Sequence, residues 1–168
     1  MTKMTSYSSP LGEMLLAAED DKLIGAWFKD ARYYGSALGS DREWADNDPV
    51  LKHAAAWLDA YFSRSAPDPD ALNLRIEGSD FRKNVLDVLR RIPYGRTTTY
   101  GAIAAEIAEK TGRRVSAQAV GGAVGHNPLT IFVPCHRVLG ADGSLTGYAG
   151  GLERKQMLLR LEAEETVR

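Results

Sequence analysis

Residues 99–127 read Thr99-Tyr100-Gly101-Ala102-Ile103-Ala104-Ala105-Glu106-Ile107-Ala108-Glu109-Lys110-Thr111-Gly112-Arg113-Arg114-Val115-Ser116-Ala117-Gln118-Ala119-Val120-Gly121-Gly122-Ala123-Val124-Gly125-His126-Asn127. Ile103, Ala104 and Ile107 recur at helical spacing, and Thr98 or Thr99 can cap the start. A helix is expected from about Tyr100 to Lys110. Gly112-Arg113-Arg114 is a short turn, and Ser116 can cap a second helix through about Val124, which Gly125-His126-Asn127-Pro128 ends. Two short helices so tightly connected predict a helix-turn-helix. The second helix is small-sided. Glycine inside a helix costs about 1 kcal/mol relative to alanine, so Gly121 and Gly122 need a reason. Either another element packs closely there, or a bulky ligand such as a nucleic-acid backbone approaches. Gln118 is the long polar side chain of this segment.

Upstream, Ser79 or Asp80 can cap a helix with Phe81, Val85, Leu86, Val88, Leu89 and Ile92 on its inner face, stopped by Ile92-Pro93-Tyr94-Gly95. The first third reads as β structure. Thr5–Ser8 and Glu13–Ala18 flank the Pro10-Leu11-Gly12 turn, and Lys22–Phe28 follows the Asp20-Asp21 turn. Residues 30–47 read as a loop with room for one short element. Asp48-Pro49 starts a helix carrying Leu51, Ala54, Ala55, Leu58 and Phe62, and Leu72–Ile76 alternates like a strand. Downstream come the apolar run Leu129–Val133, a Gly-rich loop at 140–151 and a helix from about Leu152 to Glu162. The expected fold is α/β of the α+β kind. A small N-terminal antiparallel β-sheet domain with a helix (1–78) precedes a mostly helical C-terminal domain (79–168) carrying the helix-turn-helix.

The chain has 168 residues, 44% hydrophobic and 26% charged, which suits a folded protein and excludes wholesale disorder. No stretch approaches the roughly 18 apolar residues of a membrane span. The start, Met1-Thr2-Lys3-Met4, lacks a hydrophobic signal core, so a cytoplasmic location is expected. The net charge of −1 hides a split: residues 1–79 hold 8 basic and 13 acidic side chains (−5), and residues 80–168 hold 13 and 9 (+4). A basic second half is what a polyanion would contact, although a solvated surface accounts for the split equally well.

Cys135 is the single cysteine, so neither an internal disulfide nor a thiolate zinc site can form. It sits in Val133-Pro134-Cys135-His136-Arg137-Val138. Positive charge beside sulfur lowers a thiol pKa. In a strand, though, neighbours point to opposite faces, so His136 reaches the sulfur directly only if the chain bends, and otherwise through a water. A Cys-His pair also needs a group that orients the imidazole. Asp142, Glu153, Glu162, Glu164 and Glu165 all lie downstream, and spacing does not choose among them. Tyr148 among glycines is either a platform for a flat ligand or a packed loop residue. Asp142-Gly143 reads as a hairpin turn. His53 and His126 lack metal-ligand neighbours.

Pro134-Cys135-His136-Arg137-Val138 resembles the active-site signature of the O6-alkylguanine-DNA alkyltransferases, also called methylated-DNA–protein-cysteine methyltransferases. Ala119-Val120-Gly121-Gly122-Ala123 followed by Asn127-Pro128 is similar to that family's recognition helix and asparagine hinge. Thr146–Gly151 resembles its substrate-pocket loop, and Leu152–Glu162 with Lys155 its closing helix. The similarity covers about residues 79–162. It implies direct reversal of DNA damage by base flipping. The alkyl group of O6-alkylguanine in double-stranded DNA would move irreversibly to Cys135, once per molecule, without a cofactor. It further implies roles for single residues. His136 would activate Cys135 through a water and Glu162 would orient His136. Asn127 would brace the cysteine turn. Tyr100, helped by Lys155, would quench charge on the departing base. Tyr148, Ala149, Val138 and Val124 would bind the base. Gln118, Ala117, Ala119, Gly121, Gly122 and Arg137 would meet DNA.

The chain departs from the family pattern in three places. Gln118 stands where the family usually has an arginine that fills the gap left by the flipped base, which predicts weaker duplex binding or a changed preference. Leu86 replaces a common tryptophan, with only repacking expected. Some relatives bind zinc through N-terminal cysteines, which this chain lacks, so no metal is expected there. A monomer is the default expectation. A cysteine hydrolase would normally draw its histidine from far along the chain and would need an oxyanion hole. A DNA-binding regulator would leave Pro134-Cys135-His136-Arg137 unexplained, and a redox thiol would lack a resolving partner.

Overall fold

The computed structural model describes residues 1–36 and 38–163. Glu164 and Glu165, two of the candidate carboxylates, lie outside that range. Contacts divide the chain into two units. The first holds Met1–Arg75 together with Pro128–Phe132. The second holds Ile76–Asn127 and Val133–Ala163.

Strands β1 (Thr2–Ser9), β2 (Gly12–Glu19) and β3 (Lys22–Phe28) form an antiparallel meander in the first unit. Asp20 and Asp21 both take positive φ (52° and 60°), the conformation that matches a two-residue hairpin to strand twist. β4 (Arg42–Trp44) adds a parallel edge strand beside β1, giving the order β3-β2-β1-β4. Met14 to Ala18 and Leu23 to Phe28 are buried without alternation, because both faces of the central strands are covered. Met4, Leu15, Ala17, Ile24 and Trp27 cluster with Leu38. α1 (Pro49–Phe62) packs against β1–β3. Its N-cap is Asp48, whose carboxylate accepts from the N–H of Val50 at 3.1 Å and of Leu51 at 3.2 Å.

Leu72–Ile76 is not a strand. It makes one parallel bridge, Leu74 to Leu23, with Leu23 N–H donating to Asn73 O (2.9 Å) and Arg75 N–H to Leu23 O (3.0 Å). Its alternation is real, but its partner offers pairing at a single position. Pro128–Phe132, which the sequence places in the second domain, joins the first. Ala26 exchanges backbone hydrogen bonds with Pro128 (2.8 Å) and Thr130 (3.0 Å), and the Phe132 ring lies 4.7 Å from that of Trp57.

The second unit contains α2 (Asp80–Arg90), capped by Ser79, and β5 (Thr98–Thr99). α3 (Tyr100–Thr111) follows, capped by Thr99, and then α4 (Ala117–Gly125), capped by Ser116. Gly112 closes α3 in the left-handed conformation (φ 70°), so the turn into α4 is tight. α4 packs on both α2 and α3, burying Val120, Ala123 and Val124. After a 3₁₀ turn come β6 (Val138–Leu139), paired in parallel with β5, and α5 (Leu152–Ala163). The architecture is α+β, with a helix-turn-helix in the second unit. No helix among the described residues is long and apolar enough to cross a membrane.

Gly25 has a packing role that composition does not show. A Cβ built there would overlap the indole ring of Trp27, which is 2% exposed. Gly25→Ala is expected to destabilise the protein by about 3 kcal/mol, the upper range for overpacking. Denaturant unfolding would check this, and a loss under about 0.5 kcal/mol would contradict the close packing.

Candidate active site

The site is built on a bend. Pro134 lacks an N–H, and after it Cys135–Arg137 form a 3₁₀ turn in which Arg137 N–H donates to Pro134 O at 3.0 Å. The alternation of a strand is therefore broken at Cys135–Arg137, the bend that is one of the two alternatives left open by the sequence. β6 leaves the turn and pairs with β5, which places its exit beside the start of α3 and Tyr100. Asn127 Nδ2 donates to Val133 O at 2.8 Å, joining the points where the chain leaves and re-enters this unit.

Three residues meet at Glu162. His136 is fully buried, and its Nε2 lies 2.5 Å from Glu162 Oε2. Arg137 donates Nε–H to Oε1 (2.8 Å), one terminal N–H to Oε2 (3.1 Å) and another to the Ile92 carbonyl (2.6 Å). Its guanidinium also lies 5.7 Å from the Tyr94 ring centroid. Gly95 N–H donates to Oε1 at 3.1 Å. Of the carboxylates left open by spacing, the structure selects Glu162. Glu153 and Asp142 are exposed.

Arg137 requires a correction. The resemblance placed it on DNA, but it is 7% exposed, with its guanidinium spent on Glu162 and Ile92. A buried, fully engaged arginine presents no charge to a phosphate. It is a strut between the cysteine turn, α5 and the end of α2.

The thiol also departs from the sequence expectation. Burial pushes Cys135 up, outweighing the Asn127 side-chain hydrogen bond, the Lys155 charge and the Cys135 and His136 backbone N–H groups that pull it down. Burial likewise holds His136 below its ordinary value against the pull of Glu162. At rest the pair is a neutral thiol beside a neutral imidazole. Burial acts to raise Glu162 too, but the hydrogen bond from His136 and the Arg137 guanidinium win, and the carboxyl sits well below the usual range. With His136 neutral, Arg137 is the lasting positive partner.

Lys155 is buried, and burial lowers its pKa. Its Nζ donates to Thr146 O (2.7 Å) and Gly147 O (3.5 Å) and lies 5.9 Å from the Tyr100 ring centroid. It thus ties the Gly-rich loop to α5. Tyr148 and Ala149, on that loop, are half-buried. Burial raises the Tyr148 phenol well above 10, and a Cys135 thiolate would raise it further, so it stays protonated. Val124 and Val138 are buried. Asp142-Gly143 forms the turn the sequence suggests, with Gly143 N–H on Gly140 O and Gly140 N–H on Ser144 O, both 2.9 Å.

Ala117, Gln118, Ala119 and Gly122 are exposed on α4. Between the two explanations for its small residues, the packing one fails at Gly122, where a Cβ would meet nothing within 4 Å. At Gly121 a Cβ would touch the Tyr100 ring at an ordinary 3.8 Å. His53 is exposed, and His126 Nδ1 lies 2.8 Å from Gly122 O. Among the described residues no three metal-ligating side chains converge. Sequence reasoning missed the backbone partners: the Ile92 and Thr146 carbonyls and the Gly95 N–H. Main-chain groups are the same at every residue, so no sequence signal marks them.

The Glu162 cluster generates an acid-stability prediction. The carboxyl falls from an ordinary 4.5 to about 2 on folding. Its stabilisation is thus complete above pH 4.5 and is lost as pH falls toward 2. Glu162→Gln leaves Arg137 uncompensated and should cost about 3–5 kcal/mol at neutral pH. It should also flatten the acid limb of stability against pH. A variant with the wild-type acid slope would contradict the assignment.

Family models of known proteins divide the chain once, between residues 76 and 80, and keep Pro128–Phe132 with the second half. Residues 2–76 match the family model described as 6-O-methylguanine DNA methyltransferase, ribonuclease-like domain, and residues 80–164 match its DNA binding domain. The methylated-DNA–protein-cysteine methyltransferase of Mycolicibacterium paratuberculosis is 44% identical over 162 residues, covering 96% of this chain and 93% of the relative. That of Methanosarcina acetivorans is 40% identical, covering 93% and 95%. The crystal structure of Mycobacterium tuberculosis OGT in complex with DNA superposes with a TM-score of 0.82 at 38% identity, covering 95% of this chain and 92% of that one. With both halves of the chain matched and the buried cysteine turn in place, the protein belongs to the methylated-DNA–protein-cysteine methyltransferase family.

Proposed function

We propose that this protein repairs O6-alkylguanine in duplex DNA by moving the alkyl group to the sulfur of Cys135. The observation that carries the reading is the buried turn that sets Cys135 beside His136, with His136 held on Glu162. α4 enters the minor groove along its small, exposed face, and the damaged guanine rotates out of the stack. Gln118 fills the gap. Tyr148, Ala149, Val138 and Val124 form the base-binding side, and Tyr148 serves as a neutral wall.

The chemistry then needs two proton movements. The Cys135 proton passes through a water to His136, whose cation Glu162 stabilises. The thiolate attacks the alkyl carbon, the new S–C bond forms and the C–O6 bond breaks. The bonding pair leaves with guanine, and Tyr100 donates a hydrogen bond or proton to quench that charge. Lys155 assists by holding the loop and by its positive charge. Asn127 braces the turn. Because burial keeps the thiol protonated at rest, the sulfur becomes reactive when substrate occupies the site. The product is a thioether, a poor leaving group, so each molecule acts once. We place this chemistry in a monomer in the reducing cytoplasm, where a lone thiol survives.

Intact-protein mass spectrometry after mixing with O6-methylguanine duplex should show one methyl per molecule, mapped to Cys135. Turnover beyond one, or no adduct on reduced protein that binds the duplex, would refute the reading. Gln118→Arg should tighten duplex binding. No change in affinity or repair would remove Gln118 from the interface.

A further inference from the structure

We propose that Arg113 and Arg114, on the turn between α3 and α4, are the phosphate anchors of the recognition helix and supply the positive charge that α4 itself lacks. This rests on the DNA-repair reading above. Ala117–Gly125 contains no charged residue, and Gln118 is neutral. Arg137 is buried against Glu162. Yet duplex affinity comes largely from neutralising phosphates. The charge must therefore stand beside α4 rather than on it.

Arg113 and Arg114 meet that need. Both are exposed and lie just before Ser116, the N-cap of α4. Neither guanidinium forms an ion pair among the described residues, whereas Arg91 is paired with Glu106 at 2.9 Å. The turn is ordered: Gly112 is left-handed, and Arg113 N–H donates to Thr111 Oγ1 at 3.3 Å. Both arginines also border a groove with Phe81, Ile107 and Val115 in its wall. Asp80 lines the same groove and disfavours an anion deep within it, so the anchored phosphate lies at the arginine rim, next to the partly positive N-terminus of α4.

The test uses the full chain with Arg113→Gln and Arg114→Gln combined. Binding to a labelled duplex, with and without O6-methylguanine, is measured across a salt series. Loss of two phosphate contacts should lower the slope of log affinity against log salt by about 2 and weaken binding at least ~10-fold near 100 mM salt, equally for both duplexes. A paired Arg113→Lys, Arg114→Lys variant should recover most of the slope. Alkyl transfer from free O6-methylguanine base, read by intact mass, needs no phosphate contact and should match wild type, which also shows that the variant is folded. An unchanged slope overturns the proposal. So does an equal loss in Arg42→Gln, Lys52→Gln, which removes exposed charge from the first unit. If wild type itself takes no alkyl group from base or duplex, the repair reading fails instead.

Discussion

The buried carboxylate of Glu162 is the interaction on which the second unit depends. It receives His136, Arg137 and the Gly95 N–H, so one side chain joins α5, the cysteine turn and the loop after α2. A buried charge is tolerated only when paired and hydrogen-bonded. Here each partner supplies part of that compensation, and each is immobilised in return. The imidazole orientation is thus a consequence of electrostatic satisfaction.

The same burial sets the character of the thiol. A solvent-facing cysteine among cations would be ionised and open to oxidation. Here burial outweighs the neighbouring charge and keeps Cys135 protonated. Asn127 and the Lys155 charge nevertheless lower the cost of forming the thiolate. On the proposed reading this suits a group that reacts once, because a spontaneous thiolate would be spent on the wrong electrophile. Lys155 links the cysteine environment to the loop bearing Tyr148, since its ammonium bonds the Thr146 carbonyl.

Much of the fold was legible in the chain. The Asp20-Asp21 turn, the Asp48-Pro49 helix start and the Ser116 cap are local chemistry, and each stands where the side chains place it, while between Ser79 and Asp80 and between Thr98 and Thr99 the structure uses Ser79 and Thr99. Leu72–Ile76 read wrongly because alternation reports a half-buried segment, whereas a strand needs a partner along its length. Among the site residues, the chemistry of the motif brought Cys135 and His136 to notice and the family resemblance added Asn127, but Arg137 misled. An arginine beside a reactive cysteine looks like a ligand for anions until its burial is known.

Local sequence alone determined most helix ends, the turns and the presence of a single nucleophilic sulfur, because these depend on neighbours a few residues away. Tertiary structure decided which carboxylate meets His136, what Arg137 holds, and whether the thiol rests charged or neutral. Those depend on desolvation and on backbone groups tens of residues distant, such as the Ile92 carbonyl and the Gly95 N–H. Every residue carries such groups, and only folding determines which of them a buried charge will find.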